Sequence, residues 1–199
     1  MADIHSKEHF NKTFNLDDTA VVLIDHQIGT CGWVHSIDAE LLKKNVGILA
    51  TFATKMRMPL VLTSSMETNM QGLLLDVIQK EAPEAYEKRT KRQGIVNAWE
   101  DKNFADAVRA TGKHQLIVAG VTTDVCLVPP ALSMQAEGFH IKLKCVLDAS
   151  GSPTDMVDQI AWQRLLQAGI PLASTNAIVT ELVKNWATEA GQIAFPLLA

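Results

Sequence analysis

Two patterns of apolar residues take turns along this chain. Residues 19–25 (TAVVLID) form a short unbroken run rich in β-branched side chains, as expected of a strand covered on both faces. Residues 36–58 show helical recurrence: Leu41, Leu42, Val46, Leu49 and Phe52 share a face, Ser36 or Asp38 stands where a cap is needed, and Pro59 ends the run. Residues 60–65 read as a second strand and 73–80 as a helix, and a charged segment ending KRTKRQGIVNAW holds a third strand near Lys91 and Arg92. Asp101 caps an amphipathic helix through Phe104, Ala107 and Val108 that Gly112 closes. HQLIVAGV, residues 114–121, is the clearest buried strand. A helix over 131–136 ending at Gly138, a strand over 139–149, a helix over 156–167, a strand over 171–177 and a helix over 178–187 complete the series.

Six strands alternating with helices predict an α/β fold: a doubly wound three-layer α-β-α sandwich with a six-stranded, mainly parallel sheet. No repeat or Pro/Gly/Ser-rich linker interrupts it, so residues 1–199 read as one domain, with 1–17 as an N-terminal extension and 189–199 as an apolar C-terminal tail. That tail, IAFPLLA at its end, either docks on its own core or packs on a neighbour.

Composition narrows the function. With 47 % apolar and 20 % charged residues the chain is globular, not disordered. Eighteen Lys and Arg against 22 Asp and Glu argue against a nucleic-acid partner. The polar start lacks a signal-type apolar core and no run of about 18 apolar residues occurs, so no membrane is expected. Three cysteines, an odd number without a CxxC pair, fit neither a disulfide framework nor a zinc site and suggest a reduced, cytoplasmic protein. No GxGxxG or GxxxxGK[ST] occurs, which removes the usual nucleotide cradles.

In open parallel sheets ligands bind beyond the carboxyl ends of the strands. That rule selects Asp25, His26 and Gln27 after strand one, Ser64 to Thr68 after strand two, Lys91 and Arg92 near strand three, 121–126 after strand four, and Asp148 and Ser150 after strand five. The sharpest segment is AGVTTDVCLVPP, residues 119–130. Pro129 and Pro130 are tolerable only in a helix's first turn, so the helix begins near Asp124 or Val125 and Cys126 sits at its N-terminus. Free N–H groups and the helix dipole there are expected to lower a thiol's pKa and to hold an oxyanion. Cys145, inside a strand, reads as packing, and Cys31 as a packed or incidentally reactive thiol. Asp25 is the candidate proton acceptor. His26, which points to the other side of the strand end, ranks below it. Lys88, Arg89, Lys91 and Arg92 offer four candidate cations that position alone does not separate.

VLIDHQ, RQGIVNAW and GVTTDVC, in this order on this fold, resemble the isochorismatase-like cysteine hydrolases, and most closely their YcaC-type branch, over nearly the whole chain. The resemblance implies a triad of Asp25, Arg92 and Cys126. Arg92 is placed by its spacing to VNAW, and Lys91 is the alternative because most of the wider family carries lysine. It implies a cis peptide between Val121 and Thr122, an oxyanion hole from the backbone N–H groups of Thr122 and Cys126, and substrate contacts from Gln27 and Trp99. It further implies a covalent thioester on a small amide-type substrate, no cofactor, and a ring-like homo-oligomer of up to eight copies. Two departures sharpen it. The DxH-type metal site of nicotinamidases is replaced by Ser64, Ser65, Met66, Glu67 and Thr68, and Glu67 alone cannot hold a metal. Isochorismatases proper lack the cysteine, so Cys126 argues against vinyl-ether hydrolysis. The competing class is a non-catalytic thiol sensor or small-molecule binding protein on the same fold, with Cys31 as the only candidate resolving thiol.

Overall fold

The computed structural model describes residues 13–137 and 142–199. Among these, six strands form one sheet: β1 (Thr19–Ile24), β2 (Leu60–Ser65), β3 (Thr90–Arg92), β4 (Gln115–Gly120), β5 (Lys142–Val146) and β6 (Leu172–Ala173). Their order is β3-β2-β1-β4-β5-β6 and every neighbouring pair is parallel. Parallel neighbours need crossovers, and here the crossovers are helical. The helices are α1 (Ile28–Cys31), α2 (Ala39–Lys55), α3 (Asp76–Glu81), α4 (Pro83–Glu87), α5 (Lys102–Arg109), α6 (Val128–Ala136), α7 (Asp155–Gln167), α8 (Thr175–Val183) and α9 (Glu189–Leu198). No described helix is long and apolar enough to cross a membrane.

The continuous apolar run of β1 has a direct cause in this layering. Val21 and Leu23 pack into a core shared with α2, α3, α8 and α9, whereas Ala20, Val22 and Ile24 pack into a second core shared with α5, α6 and α7. β4 divides likewise, Ile117 and Ala119 on the first side, Leu116 and Val118 on the second. Each such buried Val, Leu or Ile contributes roughly 1.5–3 kcal/mol relative to exposure. A polar residue at any of these positions would leave one layer unsealed.

Caps follow the expected chemistry with local corrections. The Asp38 carboxylate accepts the Leu41 N–H and starts α2, while the Ser36 hydroxyl is committed elsewhere, to Asp158. Asp101 accepts from the N–H groups of Asn103 and Phe104 and starts α5. The expected last strand is shorter, because the Ser174 hydroxyl accepts the Ala177 N–H and turns the chain into α8 at Thr175. The helix stop at Gly138 and the strand start at 139 lie outside the described residues, as do residues 1–12. Phe14 is buried in the first core, so the fold reaches into the expected N-terminal extension. The apolar tail forms α9, which buries Ala190, Gly191 and Ala194 against its own core and leaves Phe195 exposed beside Trp186.

Candidate active site

The strand order reverses between β1 and β4, whose last residues, Ile24 and Gly120, are register partners. The Val121 N–H extends that ladder to the Ile24 carbonyl at 3.0 Å. Asp25 and the turn after Gly120 are therefore neighbours at the topological switch point, where the crevice of such sheets lies. Asp25 has φ +57°, a left-handed conformation that takes it out of the strand's alternation. Aspartate tolerates this better than most residues, yet it still costs about 1–3 kcal/mol.

Beyond β4 the Val121–Thr122 peptide is cis, as the resemblance implied. Residues Thr123–Leu127 form a π-helical turn that runs into α6, whose first turn holds Pro129 and Pro130. The turn lies directly on the strand end. A Cβ on Gly120 would stand 3.1 Å from the Cys126 carbonyl oxygen and 3.2 Å from the Leu127 nitrogen. From behind, the Gly151 carbonyl accepts the Thr123 N–H at 2.9 Å, and the Ser150 hydroxyl accepts the Gly120 N–H at 3.1 Å. The Ser152 N–H donates in turn to the Ser36 hydroxyl, which donates to the buried Asp158 carboxylate. Loop 150–152 is thus a brace for the turn that carries Cys126.

The cation must reach across β2, because β3 lies two strand spacings, about 10 Å, from β1. Ser65 and Arg92 are register partners, and in β3 Lys91 points to solvent while Arg92 is buried. Arg92 donates from Nη1 to Asp25 Oδ1 at 2.8 Å and from Nη2 to Oδ2 at 2.7 Å. On the way its Nη1 meets the Thr63 hydroxyl at 3.1 Å, and its Nε reaches the Ile95 carbonyl at 3.2 Å. The planar fork suits this bidentate task, which a lysine ammonium cannot reproduce. Of the other cations, Arg89 stacks on Tyr86 and pairs with Glu67 at 2.6 Å, and Lys88 is exposed.

Cys126 completes the group, with one correction. Burial pushes its thiol well above the ordinary value, and the Asp25 charge and a hydrogen bond to Asp25 add to the rise. The Arg92 charge and a hydrogen bond from the Thr122 backbone act in the opposite direction and are outweighed. The expected lowering at a helix N-terminus is overridden by burial of the thiol, with the Asp25 carboxylate adding to it. The oxyanion expectation also changes. The Cys126 N–H is held by the Thr122 carbonyl at 2.7 Å, so it is not a free donor, and Thr122 remains the backbone donor beside the sulfur.

The two residues expected to touch substrate stand differently. Gln27 borders the cavity, but its amide is committed: Nε2 donates to the carbonyls of Ser65 and Gly72, and Oε1 accepts the Ser65 N–H. It fastens the end of β1 to that of β2. Trp99 does not line the cavity. It packs in the second core, edge-on to Phe104 with ring centroids 6.4 Å apart, and Arg109 lies over its ring. The cavity above Cys126 holds about 190 Å³, and its apolar walls are Trp33, Met66, Val96 and Val125. Nothing in the periodicity distinguished Trp33 from Trp99; the usable signal was Trp33's place six residues after Gln27, in the loop that leaves β1.

His26 is fully buried, with Nε2 2.8 Å from the Ala149 carbonyl, and burial lowers its pKa to about 4. It is a neutral structural imidazole. Cys31 packs against the first core and burial raises its thiol to about 12, whereas Cys145 is fully buried with its thiol pushed up likewise. Asp148 accepts the N–H and hydroxyl of Thr175 and caps α8.

Comparison with known proteins agrees with this architecture. The model of the isochorismatase domain matches residues 19–177. The probable hydrolase YcaC of Escherichia coli is 39 % identical over 178 residues, covering 89 % of this chain and 84 % of that protein. Its structure, an octameric hydrolase of unknown specificity, superposes with a TM-score of 0.85 at 37 % identity, covering 92 % of this chain and 91 % of that one. YcaC from Pseudomonas aeruginosa, solved with hexane-2,5-diol and covalent acrylamide, superposes with a TM-score of 0.86 at 37 % identity, covering 92 % and 89 %. Matched along most of its length in sequence and in fold, the chain belongs to the isochorismatase family as a YcaC-like hydrolase.

Proposed function

We propose that the chain is a cysteine hydrolase that splits the carbon–nitrogen bond of a small amide-type substrate through a thioester on Cys126. The observation that carries this reading is the junction of three groups at one cavity: the Cys126 thiol beside the Asp25 carboxylate, which Arg92 grips with two nitrogens. As Sγ attacks the carbonyl carbon, its proton passes to Asp25. The Thr122 N–H stabilises the oxyanion, a contribution of about 3–4 kcal/mol per donor. The C–N bond then breaks, Asp25 returns the proton to the leaving nitrogen, and the acyl group stays on sulfur. Water attacks the thioester, giving a proton to Asp25. The C–S bond breaks and the thiol recovers its proton. Arg92 cannot give up a proton at working pH, so it orients Asp25 and balances its charge.

A thiol held neutral until attack fits this sequence better than it fits a redox sensor, which needs a low-pKa, accessible thiolate beside a resolving cysteine. Cys31 does not border the cavity and its own thiol is raised. The covalent acrylamide on the Pseudomonas relative is a small electrophilic amide, which favours a site of this size and chemistry. The octameric E. coli relative supports a homo-oligomer here, with the exposed Phe195 on α9 and Trp186 just before that helix as a candidate contact. The test is Cys126→Ala: ammonia release from a panel of small amides and stoichiometric labelling at this position by iodoacetamide should both vanish. Labelling that persists on the variant at the parental rate and stoichiometry would show that another thiol is the nucleophile.

A further inference from the structure

We infer that the site selects uncharged substrates: a small neutral amide that carries no carboxylate, phosphate or ammonium. This rests on the cysteine-hydrolase reading above and adds the substrate's charge.

The described lining of the cavity carries two opposite charges and is otherwise uncharged. Among the described residues that line it, one carries a full positive charge, Arg92, and one a full negative charge, Asp25. They neutralise each other in a bidentate pair whose side chains are 1 % and 3 % exposed. Four of the five guanidinium N–H groups are committed, two to Asp25, one to the Thr63 hydroxyl and one to the Ile95 carbonyl. The remaining cations of that segment face elsewhere: Arg89 holds Glu67, and Lys88 and Lys91 are exposed and do not line the cavity. An anionic substrate would be desolvated beside Asp25 and a developing thiolate with no free counter-charge, and a cationic one would meet only a carboxylate already paired. An unpaired charge taken out of water is strongly disfavoured.

The walls are mostly apolar. A closed cavity of about 150 Å³ holds a benzene molecule, so the recess of about 190 Å³ over Cys126 has room for the reacting amide and a short substituent. Trp33, Met66, Val96 and Val125 offer apolar contact to a short substituent. Gln71 and the Thr30 hydroxyl add neutral hydrogen-bonding groups, and Thr30 Oγ1 is buried without a partner among the described residues. Neutral donors and acceptors at the edge of an apolar slot match a primary amide's one carbonyl and one NH₂. They do not match a second charged group.

Iodoacetamide and iodoacetate differ in charge and hardly in shape, and both alkylate a thiol with loss of iodide. Their rates on the intact protein are measured at Cys126 by peptide mass, each divided by its rate on glutathione to remove intrinsic reactivity. The expected result is a normalised preference for iodoacetamide of at least about tenfold. Val96→Lys, which places a cation on the exposed rim, should raise the relative rate of iodoacetate by about tenfold. Equal normalised rates, or a preference for iodoacetate in the parent chain, overturn the charge selection. Failure of both reagents to reach Cys126 overturns it together with the hydrolase reading. A preference for iodoacetamide with no ammonia released from any neutral amide sinks only the hydrolase reading and leaves the selection standing.

Discussion

Replacing Arg92 by methionine separates the scaffold role of the buried pair from its chemical role. Methionine keeps most of the length and removes the charge, leaving the Asp25 carboxyl at 3 % side-chain exposure with no counter-ion. Removing one partner of a buried pair typically costs about 3–5 kcal/mol, and the bonds to Thr63 and Ile95 are lost too. In a chain of this size each kcal/mol lowers the melting temperature by roughly 2–4 °C, so Arg92→Met should melt roughly 6–20 °C below the parent. The thiol should also become harder to ionise, because the Arg92 charge is one of the influences that lower its pKa, and iodoacetamide labelling at pH 8 should slow. The double variant Asp25→Asn/Arg92→Met removes both charges. It should recover most of the lost stability, since apolar or neutral replacement of a buried pair is often near neutral. It should not recover amide hydrolysis, because no group is left to carry the proton. Thermal melts, urea unfolding followed by tryptophan fluorescence, and ammonia release measure the three quantities. An Arg92→Met chain that melts within about 2 °C of the parent and labels at the parental rate would refute the reasoning.

Two further outcomes follow from the same geometry. His26 is neutral when folded, with a pKa near 4 against an ordinary 6.5, so its contribution to stability is complete above pH 6.5 and is lost as pH falls toward 4. The full loss, reached below pH 4, is about 3 kcal/mol, of which about 2.4 falls between pH 7 and 4.5; urea unfolding of parent and His26→Gln at those two pH values should show it in the parent alone, and equal losses in both would exclude His26 as the cause. Trp99→Ala should destabilise by about 3–5 kcal/mol yet keep the ratio of iodoacetamide to iodoacetate labelling, whereas Trp33→Ala should change labelling rates with little loss of stability, as paired melts and labelling would reveal.

The fold was legible because its main signals are local and redundant. A parallel strand buried on both faces has to be a short apolar run, and the runs at β1 and β4 are such segments with turn chemistry on either side. Asp38 and Asp101 are caps wherever a helix begins within reach of them. The misplaced boundaries are those where one side chain decides between two adequate patterns. Residues 174–177 carry enough small and β-branched residues to extend β6, and it is the Ser174 hydroxyl on the Ala177 N–H that ends it.

The site was legible in one dimension and not in the next. Asp25 and Cys126 are forced together by the register of two long strands, so the strand-end rule alone finds both. The choice between Lys91 and Arg92 depends on the register of a three-residue strand, Ser65 opposite Arg92, too short to leave a readable alternation. The ionisation of Cys126 depends still less on its own neighbours in sequence. A thiol at a helix start invites the expectation of a lowered pKa, but burial raises it first, and the Asp25 carboxylate adds more than the Arg92 charge takes away. Trp99 follows the same logic from the other side. A tryptophan next to the loop that delivers Arg92 is near the site along the chain, yet the short turn at Ala98–Glu100 carries its ring into the second core beside Phe104, and Trp33, from the loop after β1, supplies the aromatic wall instead. What the chain order conveys is which strand ends meet. What the cavity will accept is set by which side chains are already committed there, and that commitment, Arg92 to Asp25 and Gln27 to the β2 end, leaves the recess beside Cys126 without an uncommitted charge among its described lining residues.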